Sequence, residues 1–391
     1  MFRKAFRYRL YPNREQQAGL TVQFGHARFV YNWALATRKE YYRKHKKDIN
    51  YYVLKRMMTE LKGQPDHAWL READSQALQA KVEDLNRAFV NFFEKRSKFP
   101  RFKKRHGRQS IRYPQRFRFD GNCVYLPKIG WVKIILHRLP EGKLKSLTVS
   151  KTKSGEYYAS VLCEVDENVS PNGKPPVGVD LGLKDFAVLS TGEKIKHPKY
   201  LKRADRRLKK LQKRLSRKKK GSSNRSKARL LVARQHEHVA RQRADFLHKL
   251  SYRLVTRYGT LCLETLNVQG MLKNRRLAGS IADSGWSMFG RLCEYKADWY
   301  GSLILRADPL YPSSKTCSAC GCVNHDLTLS DRFWTCKNCG AHHDRDKNAA
   351  VNLLHKTTAG AAESSRPGRG HKTNLPVGKT QTSKNQEAQN L

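Results

Sequence analysis

The alternation of apolar and polar residues divides the beginning of the chain into a strand and a helical unit. Residues 2–11 alternate and carry Phe and Tyr, which predicts a strand closed by Pro12. Apolar residues then recur every three or four positions over residues 13–97, with Asn13 as the expected cap of the first helix. A second strong helix is predicted over residues 73–96. Its apolar stripe consists of Leu78, Val82, Leu85, Phe89 and Phe92.

The next stretch changes to the period of two that is typical of half-buried strands. Residues 112–165 contain four such runs, with turn sequences at Asp120-Gly121 and Ser154-Gly155. We expect the first strand of the chain to join this sheet. The helical unit is then an insertion into a β-barrel or sandwich.

The second half alternates strands with helices, which predicts an α/β domain after the linker NVSPNGKPP. A strand pair follows, and then residues 199–257 form a helical region with 22 Lys/Arg and three acidic residues. The sequence KKKGSSN at 218–224 is expected to break this region into two antiparallel helices. Beyond it we predict the strand TLCLETL, a helix near 281–301, the strand SLILRA and a last helix. Residues 357–391 lack periodicity and are expected to be disordered.

The charge of the chain points to an anionic partner. It has 79 Lys and Arg against 33 Asp and Glu, a formal net charge of +46. Nucleic acid rewards many Lys and Arg at once through phosphate contacts and counterion release. A membrane surface is the other anionic partner to consider, but the pattern contains neither an apolar run of about 18 residues nor a signal sequence. We therefore expect no membrane partner, and a protein that acts in the cytoplasm or on the nucleoid.

Five of the nine cysteines crowd into residues 317–339. In a chain without a secretion signal, such clustering indicates metal rather than disulfides. Two C-x2-C pairs fifteen residues apart have the spacing of a closed, structural Zn²⁺ site in a ribbon over 312–342. The additional Cys322 is an alternative to one member of the first pair. The expected zinc ligands are Cys317, Cys320, Cys336 and Cys339.

Two acidic residues lie on strands that are otherwise apolar. Asp180 shares its strand face with Gly178 and Gly182, where a bulky ligand or a phosphate backbone can come close. The alternative is a solvated aspartate on a half-exposed strand. Glu264 lies inside a short apolar strand, where glutamate is rare unless it is paired or bound to metal. The alternative is an edge strand whose Glu264 faces water.

A third acidic residue, Asp346, lies where the last helix is expected to begin. On a helix, Asp346 shares one inward face with Ala349, Ala350 and Leu353, and the small alanines would allow a close approach to another element. A simple helix cap is the alternative, since aspartate is a preferred cap residue. Asp344, two positions earlier, is expected to serve the turn or the cap.

Together the three acids follow the chain order of an RNase H-type site. In such a site an aspartate on the first strand of a hairpin, a glutamate on a later strand and an aspartate at the start of a helix act together. They hold two divalent metals about 4 Å apart for in-line phosphodiester cleavage. Carboxylate ligands suit Mg²⁺ or Mn²⁺. The chemistry requires no nucleophile from the protein.

The chain resembles the TnpB family, the OrfB-type transposon proteins related to type V CRISPR effectors. The resemblance is carried by GVDLGLKDFAVLS, LETLNVQGM, NRRLAGSIADSGW, YPSSKTCSACG and CKNCGAHHDRDKNAAVNLL. The segments FRYRLYPNREQQAGL, ARFVYNWAL and FPRFKKR extend it through the N-terminal half, so that it covers roughly residues 1–356.

The resemblance implies an RNA-guided DNA endonuclease with a RuvC-like domain. The guide RNA is then transposon-derived, and the target is double-stranded DNA beside a short motif. It also implies that Asp180, Glu264 and Asp346 are the catalytic acids, and that the two cysteine pairs of the ribbon bind zinc. A monomer with one RNA is expected.

The resemblance further implies a domain organisation. Residues 1–12 and 108–171 correspond to a β-barrel wedge domain, and residues 13–107 to a helical recognition domain inserted in it. Residues 172–356 correspond to the RNase H-like (RuvC) nuclease domain, with the zinc ribbon as an insertion.

Several basic residues are candidates for phosphate contacts, because a long RNA and a heteroduplex need cations along their whole length. Tyr51 and Gln79, on the helical unit, are candidates for contacting the target-adjacent motif. Trp286 is expected either to stack on a base or to lie in the core. Two other functions stay open at this stage: a protein-only RuvC-like transposase or resolvase, and a non-catalytic nucleic-acid-binding regulator of transposition. The candidate contact residues are Tyr51, Gln79, Arg101, Lys103, Lys104, Lys218, Lys219, Arg275 and Arg276.

Overall fold

A computed structural model describes residues 2–328 and 330–364, which form two compact units. Among the described residues, the first unit contains residues 2–171, Lys199–Ser251 and Asp298–Gly301. The second contains Asn172–Pro198, Tyr252–Ala297 and the described residues between 302 and 364. Among the described residues, no helix is long and apolar enough to cross a membrane.

The first unit begins with the predicted strand and helical insertion. The elements are strand β1 (Phe2–Tyr11), helices α1 (Arg14–His45) and α2 (Tyr51–Leu61), a 3₁₀ helix (Pro65–Glu72) and helix α3 (Ser75–Phe93). Asn13 caps α1 as predicted: its side chain accepts a hydrogen bond from Gln16 N, and the Gln16 side chain accepts one from Asn13 N. Four residues of the α3 stripe are buried in a helical core with α1 and α2, namely Leu78, Val82, Leu85 and Phe89, whereas Phe92 is half-buried.

Seven antiparallel strands form the sheet that carries this insertion. The six further strands are β2 (Gln109–Tyr113), β3 (Arg118–Asp120), β4 (Cys123–Leu126), β5 (Gly130–Ile135), β6 (Lys143–Lys151) and β7 (Tyr157–Val165). Their order is β2-β6-β7-β1-β5-β4-β3, so β1 joins the middle of the sheet as expected. Within the described residues the edge strands β2 and β3 do not pair with each other. The sheet is therefore an open half-barrel, which is the form that the expected β-barrel or sandwich takes among the described residues.

One core fills the concave side of the half-barrel. Phe6, Tyr8 and Leu10 alternate inward along β1 and are at most 3% exposed. Leu20 and Phe24 of α1 belong to the same buried cluster. The helical insertion is thus anchored on the sheet by the first turns of α1.

The second unit starts with three strands, and the basic helical hairpin follows in the chain. The strands are β8 (Pro176–Leu181), β9 (Asp185–Leu189) and β10 (Lys194–Lys196), and the hairpin consists of α4 (Tyr200–Ser216) and α5 (Ser223–Arg257). The two helices and the break between them agree with the prediction. Residues 199–251 cluster with the first compact unit. Within that unit, Glu237 and Arg241 of α5 form hydrogen bonds with Ser154 and Tyr158 of the half-barrel sheet and its hairpin.

The rest of the second unit alternates strands with helices. The elements are β11 (Thr260–Leu263), α6 (Val268–Met271), α7 (Ala278–Ser284), α8 (Trp286–Tyr300), β12 (Leu303–Arg306), β13 (Phe333–Thr335), β14 (His342–Asp344) and α9 (Arg345–Ser364). Three expectations need correction. The helix near 281–301 is two helices separated at Gly285, and strand β11 ends one residue before Glu264. The tail does not begin at residue 357, because α9 continues to Ser364; residues 365–391 lie outside the described part.

A five-stranded mixed sheet organises this unit, in the order β10-β9-β8-β11-β12. Strand β9 is antiparallel to both β8 and β10, whereas β8, β11 and β12 are parallel. Helix α9 lies against β8 so closely that a Cβ on Gly178 would be 1.8 Å from Ala350 O. The carboxyl ends of three parallel strands therefore meet at one edge of the sheet, beside the start of α9.

Candidate active site

Asp180 and Glu264 lie at the carboxyl ends of the adjacent parallel strands β8 and β11. The pairing Leu263↔Val179, extended by one residue, puts Glu264 beside Asp180. Oε1 of Glu264 accepts a hydrogen bond from Leu181 N at 3.1 Å, which fixes the glutamate over the end of β8. Strand β11 lies between β8 and β12, so Glu264 does not belong to an edge strand. The edge-strand alternative considered for Glu264 is therefore not favoured.

Asp346 lies in the first turn of α9. Two arginines hold its carboxylate: Arg332 Nη1 lies 3.2 Å from Oδ2, and Arg345 Nη2 lies 3.4 Å from Oδ1. The cap is provided by Asp344, whose Oδ1 accepts hydrogen bonds from Asp346 N and Lys347 N at 3.1 and 3.3 Å. The division of roles between the two aspartates agrees with the prediction: Asp344 caps the helix, and the Asp346 carboxylate is left for other partners.

Burial raises the pKa of both Asp180 and Glu264, and repulsion by neighbouring carboxylates raises that of Asp180 further. Burial, followed by the negative charges of Glu264 and Asp346, raises the pKa of Asp180 well above its ordinary value, against the opposing charge of Arg345. Burial also raises the pKa of Glu264 to about 7, although the Leu181 N–H favours the carboxylate. Three carboxylates that repel one another in a half-buried site have the donor chemistry that a hard divalent cation prefers.

The three carboxylates are spaced more widely than the ligands of one small ion. Among the described residues, the four cysteines are the one group of three or more His, Cys, Asp or Glu side chains whose ligand atoms all lie within 4.8 Å. The oxygens of Asp180, Glu264 and Asp346 do not meet this limit together. Two cations about 4 Å apart can use carboxylates that are spread more widely than the ligands of a single ion.

Asp344 joins the start of α9 to the sheet. Its Oδ2 accepts a hydrogen bond from Lys194 Nζ on β10 at 2.6 Å. Burial opposes the shift, but this hydrogen bond and those from the backbone at Lys347 and Asp346 lower the pKa of Asp344. The cap residue thus stays ionised and fixes the helix that carries Asp346 to the neighbouring strand.

The four predicted cysteines converge. The Sγ atoms of Cys317 and Cys339 lie 3.6 Å apart, as do those of Cys320 and Cys336. A tetrahedron with Zn–S bonds of about 2.3 Å has edges of about 3.8 Å, so the cluster fits one Zn²⁺. Each cysteine pair is followed by a glycine in a tight turn: Gly321 and Gly340 have φ of 76° and 71°, the left-handed region that favours glycine.

Cys322 is not part of this cluster. Its side chain is exposed, and its carbonyl oxygen accepts a hydrogen bond from Cys317 N at 2.8 Å. Cys322 therefore contributes backbone to the first knuckle. The alternative in which it replaces Cys320 is not favoured.

Helix α9 also binds the segment that leads into the first cysteine pair. The buried Asn348 accepts a hydrogen bond from Ser318 N at 2.9 Å and donates one to Thr316 O at 2.7 Å. Asn352 donates to the carbonyl oxygens of Ser313 and Thr316 at 2.8 and 2.6 Å. The ribbon and the helix that carries Asp346 are therefore one connected structure.

Sequence reasoning missed the residues that support the site. These include Arg332 and Arg345 at Asp346, and His343, whose Nε2 lies 3.1 Å from Cys317 Sγ. The His343 ring packs against Trp334 with centroids 4.8 Å apart. The repeated Asn of the NAAVN segment was an available signal, because buried asparagines on an apolar helix face require partners.

The predicted nucleic-acid contacts in the helical insertion differ in their surroundings. Tyr51 begins α2, with its ring 4.1 Å from that of Tyr52, and hydrogen bonding to Tyr52 followed by burial raises the pKa of Tyr51 to about 12. Gln79 is half-buried on α3. Arg101 and Lys104 are exposed in the basic loop.

Lys103 is held against the protein. Its Nζ lies 3.8 Å from the centre of the Tyr31 ring, and its backbone exchanges hydrogen bonds with the Asn32 side chain at 2.8 and 3.0 Å. Burial, and then the charge of Lys81, lower the pKa of Lys103 to about 8. Lys103 thus anchors the loop and is a poorer phosphate ligand than its exposed neighbours.

The remaining candidates lie on two other segments. Lys218 and Lys219 are exposed between α4 and α5, and Arg275 and Arg276 are exposed between α6 and α7. Trp286, in contrast, is only 4% exposed. The core position is therefore the one that Trp286 adopts, and not a base-stacking surface.

Three family descriptions match consecutive parts of the chain. They are an OrfB-type helix-turn-helix domain (residues 1–47), the OrfB family described as a probable transposase (160–275) and the Cas12f1-like TNB domain (286–353). A protein of Streptomyces pristinaespiralis named "Putative RNA-guided DNA endonuclease" is 42% identical over 385 residues, which is 94% of each chain. The chain belongs to the TnpB family of OrfB-type transposon proteins. In this TnpB protein, the segment matched as helix-turn-helix consists of β1 and the 32-residue helix α1.

Two further comparisons agree with the TnpB assignment. "Putative RNA-guided DNA endonuclease InsQ" of Escherichia coli K12 is 33% identical over 370 residues, covering 90% of this chain and 91% of the relative. A cryo-EM structure of a Cas12f1–sgRNA–target DNA complex matches with a TM-score of 0.55 at 16% identity, covering 87% of this chain and 82% of that chain. At this identity the structural likeness concerns the fold alone.

Proposed function

We propose that this TnpB protein is an RNA-guided DNA endonuclease whose active site consists of Asp180, Glu264 and Asp346. The observation that carries the site is the position of Asp180 and Glu264 at the ends of adjacent parallel strands, with Asp346 close enough to raise the pKa of Asp180. The full-length relatives named as putative RNA-guided DNA endonucleases support the activity. The strand order of the mixed sheet, β10-β9-β8-β11-β12, supports an RNase H-like (RuvC) domain in this proposal.

The acids fit two Mg²⁺ or Mn²⁺ ions. Bound there, the two ions would activate a water and stabilise the leaving oxygen in an in-line phosphodiester hydrolysis. The protein contributes the carboxylate ligands, holds Glu264 through Leu181 N, and neutralises part of the charge on Asp346 through Arg332 and Arg345. The cysteine cluster fits one structural Zn²⁺, with all four positions of a tetrahedron filled by protein.

The proposed partners are a transposon-derived guide RNA and double-stranded target DNA. The net charge of +46 supports binding to long polyanions. In this proposal base pairing reads the target, the protein reads a short adjacent motif, and one active site cuts both strands. We propose a monomer with one RNA that acts in the cytoplasm or on the nucleoid.

An Asp180→Ala variant tests the site. It removes a metal ligand without touching the basic surfaces, so we expect DNA cutting to fall at least about 1,000-fold while RNA affinity stays within about twofold. Asp185→Ala, at the start of the next strand, is the matched control and should cut normally. Plasmid cleavage and RNA filter binding measure the two properties. Cutting by Asp180→Ala at the wild-type rate would remove Asp180 from the active site.

A protein-only RuvC-like transposase is the second candidate. The family description "Probable transposase" over residues 160–275 favours it. The two functions differ in their need for RNA. A protein-only transposase still acts on DNA after all RNA has been removed, whereas an RNA-guided nuclease loses its DNA cleavage. A non-catalytic regulator has no such support, because no family description or relative named above points to it.

A further inference from the structure

A cavity lies between α4 and α5, near the turn of the basic hairpin. Its volume is about 520 Å³. Leu211 and Leu231 provide its apolar lining. Leu231 is 47% exposed, because no other described part of the protein packs over it. The rim is formed by Arg214, Arg217, Lys218 and Lys227.

The turn beside the cavity is built from specific hydrogen bonds. Nη1 of Arg225 donates to the carbonyl oxygens of Leu215 and Lys218, at 2.9 Å in both cases. The Ser222 hydroxyl oxygen accepts a hydrogen bond from Arg225 N at 3.1 Å and donates to Lys219 O at 2.9 Å. One arginine therefore closes the ends of both helices, so the rim cations project from a fixed frame.

The rim cations have no acidic partners nearby. Residues 206–236 contain 14 Lys/Arg and no Asp or Glu. The three acids of the hairpin lie outside this stretch and pair elsewhere: Asp205 with Lys209, Glu237 with Arg241 and Asp245 with Lys249. In the described part of the chain, the positive charges of the rim are thus not neutralised by acidic side chains, so the rim is suited to binding an anion.

We propose that this cavity binds one unpaired nucleotide of an RNA, with the base against Leu211 and Leu231 and the flanking phosphates on the rim. Binding the backbone of an RNA duplex requires only cations. Binding a base that is turned out of its helix also requires an apolar surface for the base, next to cations for the flanking phosphates. The site rests on the proposed function for the identity of its partner. It adds that the hairpin reads RNA structure, namely a bulged or looped nucleotide, and not only RNA charge.

The test uses the full-length protein, freed of bound RNA, and two fluorescein-labelled RNA hairpins. They differ only in that one carries a single bulged adenosine and the other is fully paired. We expect the protein to bind the bulged hairpin about tenfold more tightly. Leu231→Ser should abolish this preference while leaving affinity for the paired hairpin within about twofold, because it removes only the apolar contact.

A second pair of variants distinguishes the contribution of the rim cations to RNA binding from that of basic residues elsewhere on the hairpin. Lys227→Ala should weaken binding of the bulged hairpin more than Lys210→Ala, an exposed α4 lysine outside the cavity. A 2-aminopurine at the bulge should change its fluorescence on binding to the wild type but not to Leu231→Ser.

Three results would overturn the proposal. One is equal affinity of the wild type for the two hairpins, and another is an unchanged preference in Leu231→Ser. The third is displacement of the bulged hairpin by a poly-glutamate peptide as effectively as by unlabelled RNA, which would make the cavity a site for acidic peptides. None of these measurements requires cleavage, so guided cutting could fail with the cavity intact, or the reverse.

Discussion

At the scale of single residues, Glu264 shows how burial links the active site to folding. Burial raises its pKa to about 7. The folded protein therefore holds this proton more tightly than the unfolded chain does, and stability is lost as pH rises from about 4.5 to 7. A bound cation would relieve this cost.

We predict that Glu264→Gln stabilises the protein in Mg²⁺-free buffer at pH 8 but little at pH 5. The upper limit is roughly 3 kcal/mol, set by the size of the pKa shift. Thermal unfolding at the two pH values measures it. Asp344→Asn is the control of opposite sign: the pKa of Asp344 is lowered, so its loss should destabilise the protein at both pH values. Equal effects of Glu264→Gln at pH 5 and pH 8 would contradict the prediction.

A second residue-level prediction concerns zinc. Cys336→Ser removes one Sγ of the cluster, and we expect its bound zinc to fall from one ion per chain to near zero, because a closed tetrahedral site needs all four ligands. Cys322→Ser, which changes an exposed side chain outside the cluster, should keep one zinc. Elemental analysis of the purified proteins decides between them. Loss of zinc from Cys322→Ser would show that the ligand set is wrong.

The candidate metal ligands could be picked out from residue type and spacing. The residues that contact these ligands could not. Two C-x2-C pairs and three acids on apolar elements are local signals. Arg332 and His343 acquire their roles only when β13 and β14 pair, which brings them to Asp346 and to Cys317. No spacing along the chain specifies these contacts.

At the scale of elements, α9 connects the chemistry to the fold. It carries Asp346 in its first turn, packs Ala350 on Gly178 of β8, and binds the ribbon through Asn348 and Asn352. The sequence suggested that Gly178 leaves room for a ligand. The structure fills that room with the backbone of α9.

Gly178→Ala should therefore separate α9 from β8. A Cβ at 1.8 Å from Ala350 O cannot be accommodated without moving the helix. We expect a loss of about 3 kcal/mol of stability and a larger fractional loss of cutting, because Asp346 moves with α9. Gly279→Ala, where no atom lies within 4 Å of the new Cβ, should have little effect. Thermal unfolding and plasmid cleavage measure both variants, and a neutral Gly178→Ala would contradict the packing.

Element types followed from periodicity more reliably than element ends and sheet closure. Strand β1 and helix α3 have strong local patterns, whereas closure of the half-barrel depends on pairing between distant edges. Helix α9 extends past residue 357: Thr357 is buried, and its hydroxyl donates within the helix to Leu353 O at 2.8 Å. Composition alone indicated a tail there.

At the scale of the whole molecule, the basic hairpin and the candidate active site lie in different compact units. The first unit contains the half-barrel, the helical insertion and the basic hairpin, and the second contains the acids and the cysteine cluster. A net charge of +46 gives each partner's phosphates many contacts, so binding should weaken steeply with salt. Guided cutting is the function that requires both a large RNA-binding surface and one nuclease site.

The decisive measurement is cleavage of two plasmids by the protein loaded with either of two guide RNAs. Each plasmid carries the target of one guide behind a library of flanking sequences. We predict that each complex linearises only its matching plasmid, that exchanging the guide exchanges the target, and that RNA-free protein cuts neither. Cutting of both plasmids by the RNA-free protein, or a target that does not change with the guide, would contradict the RNA-guided function.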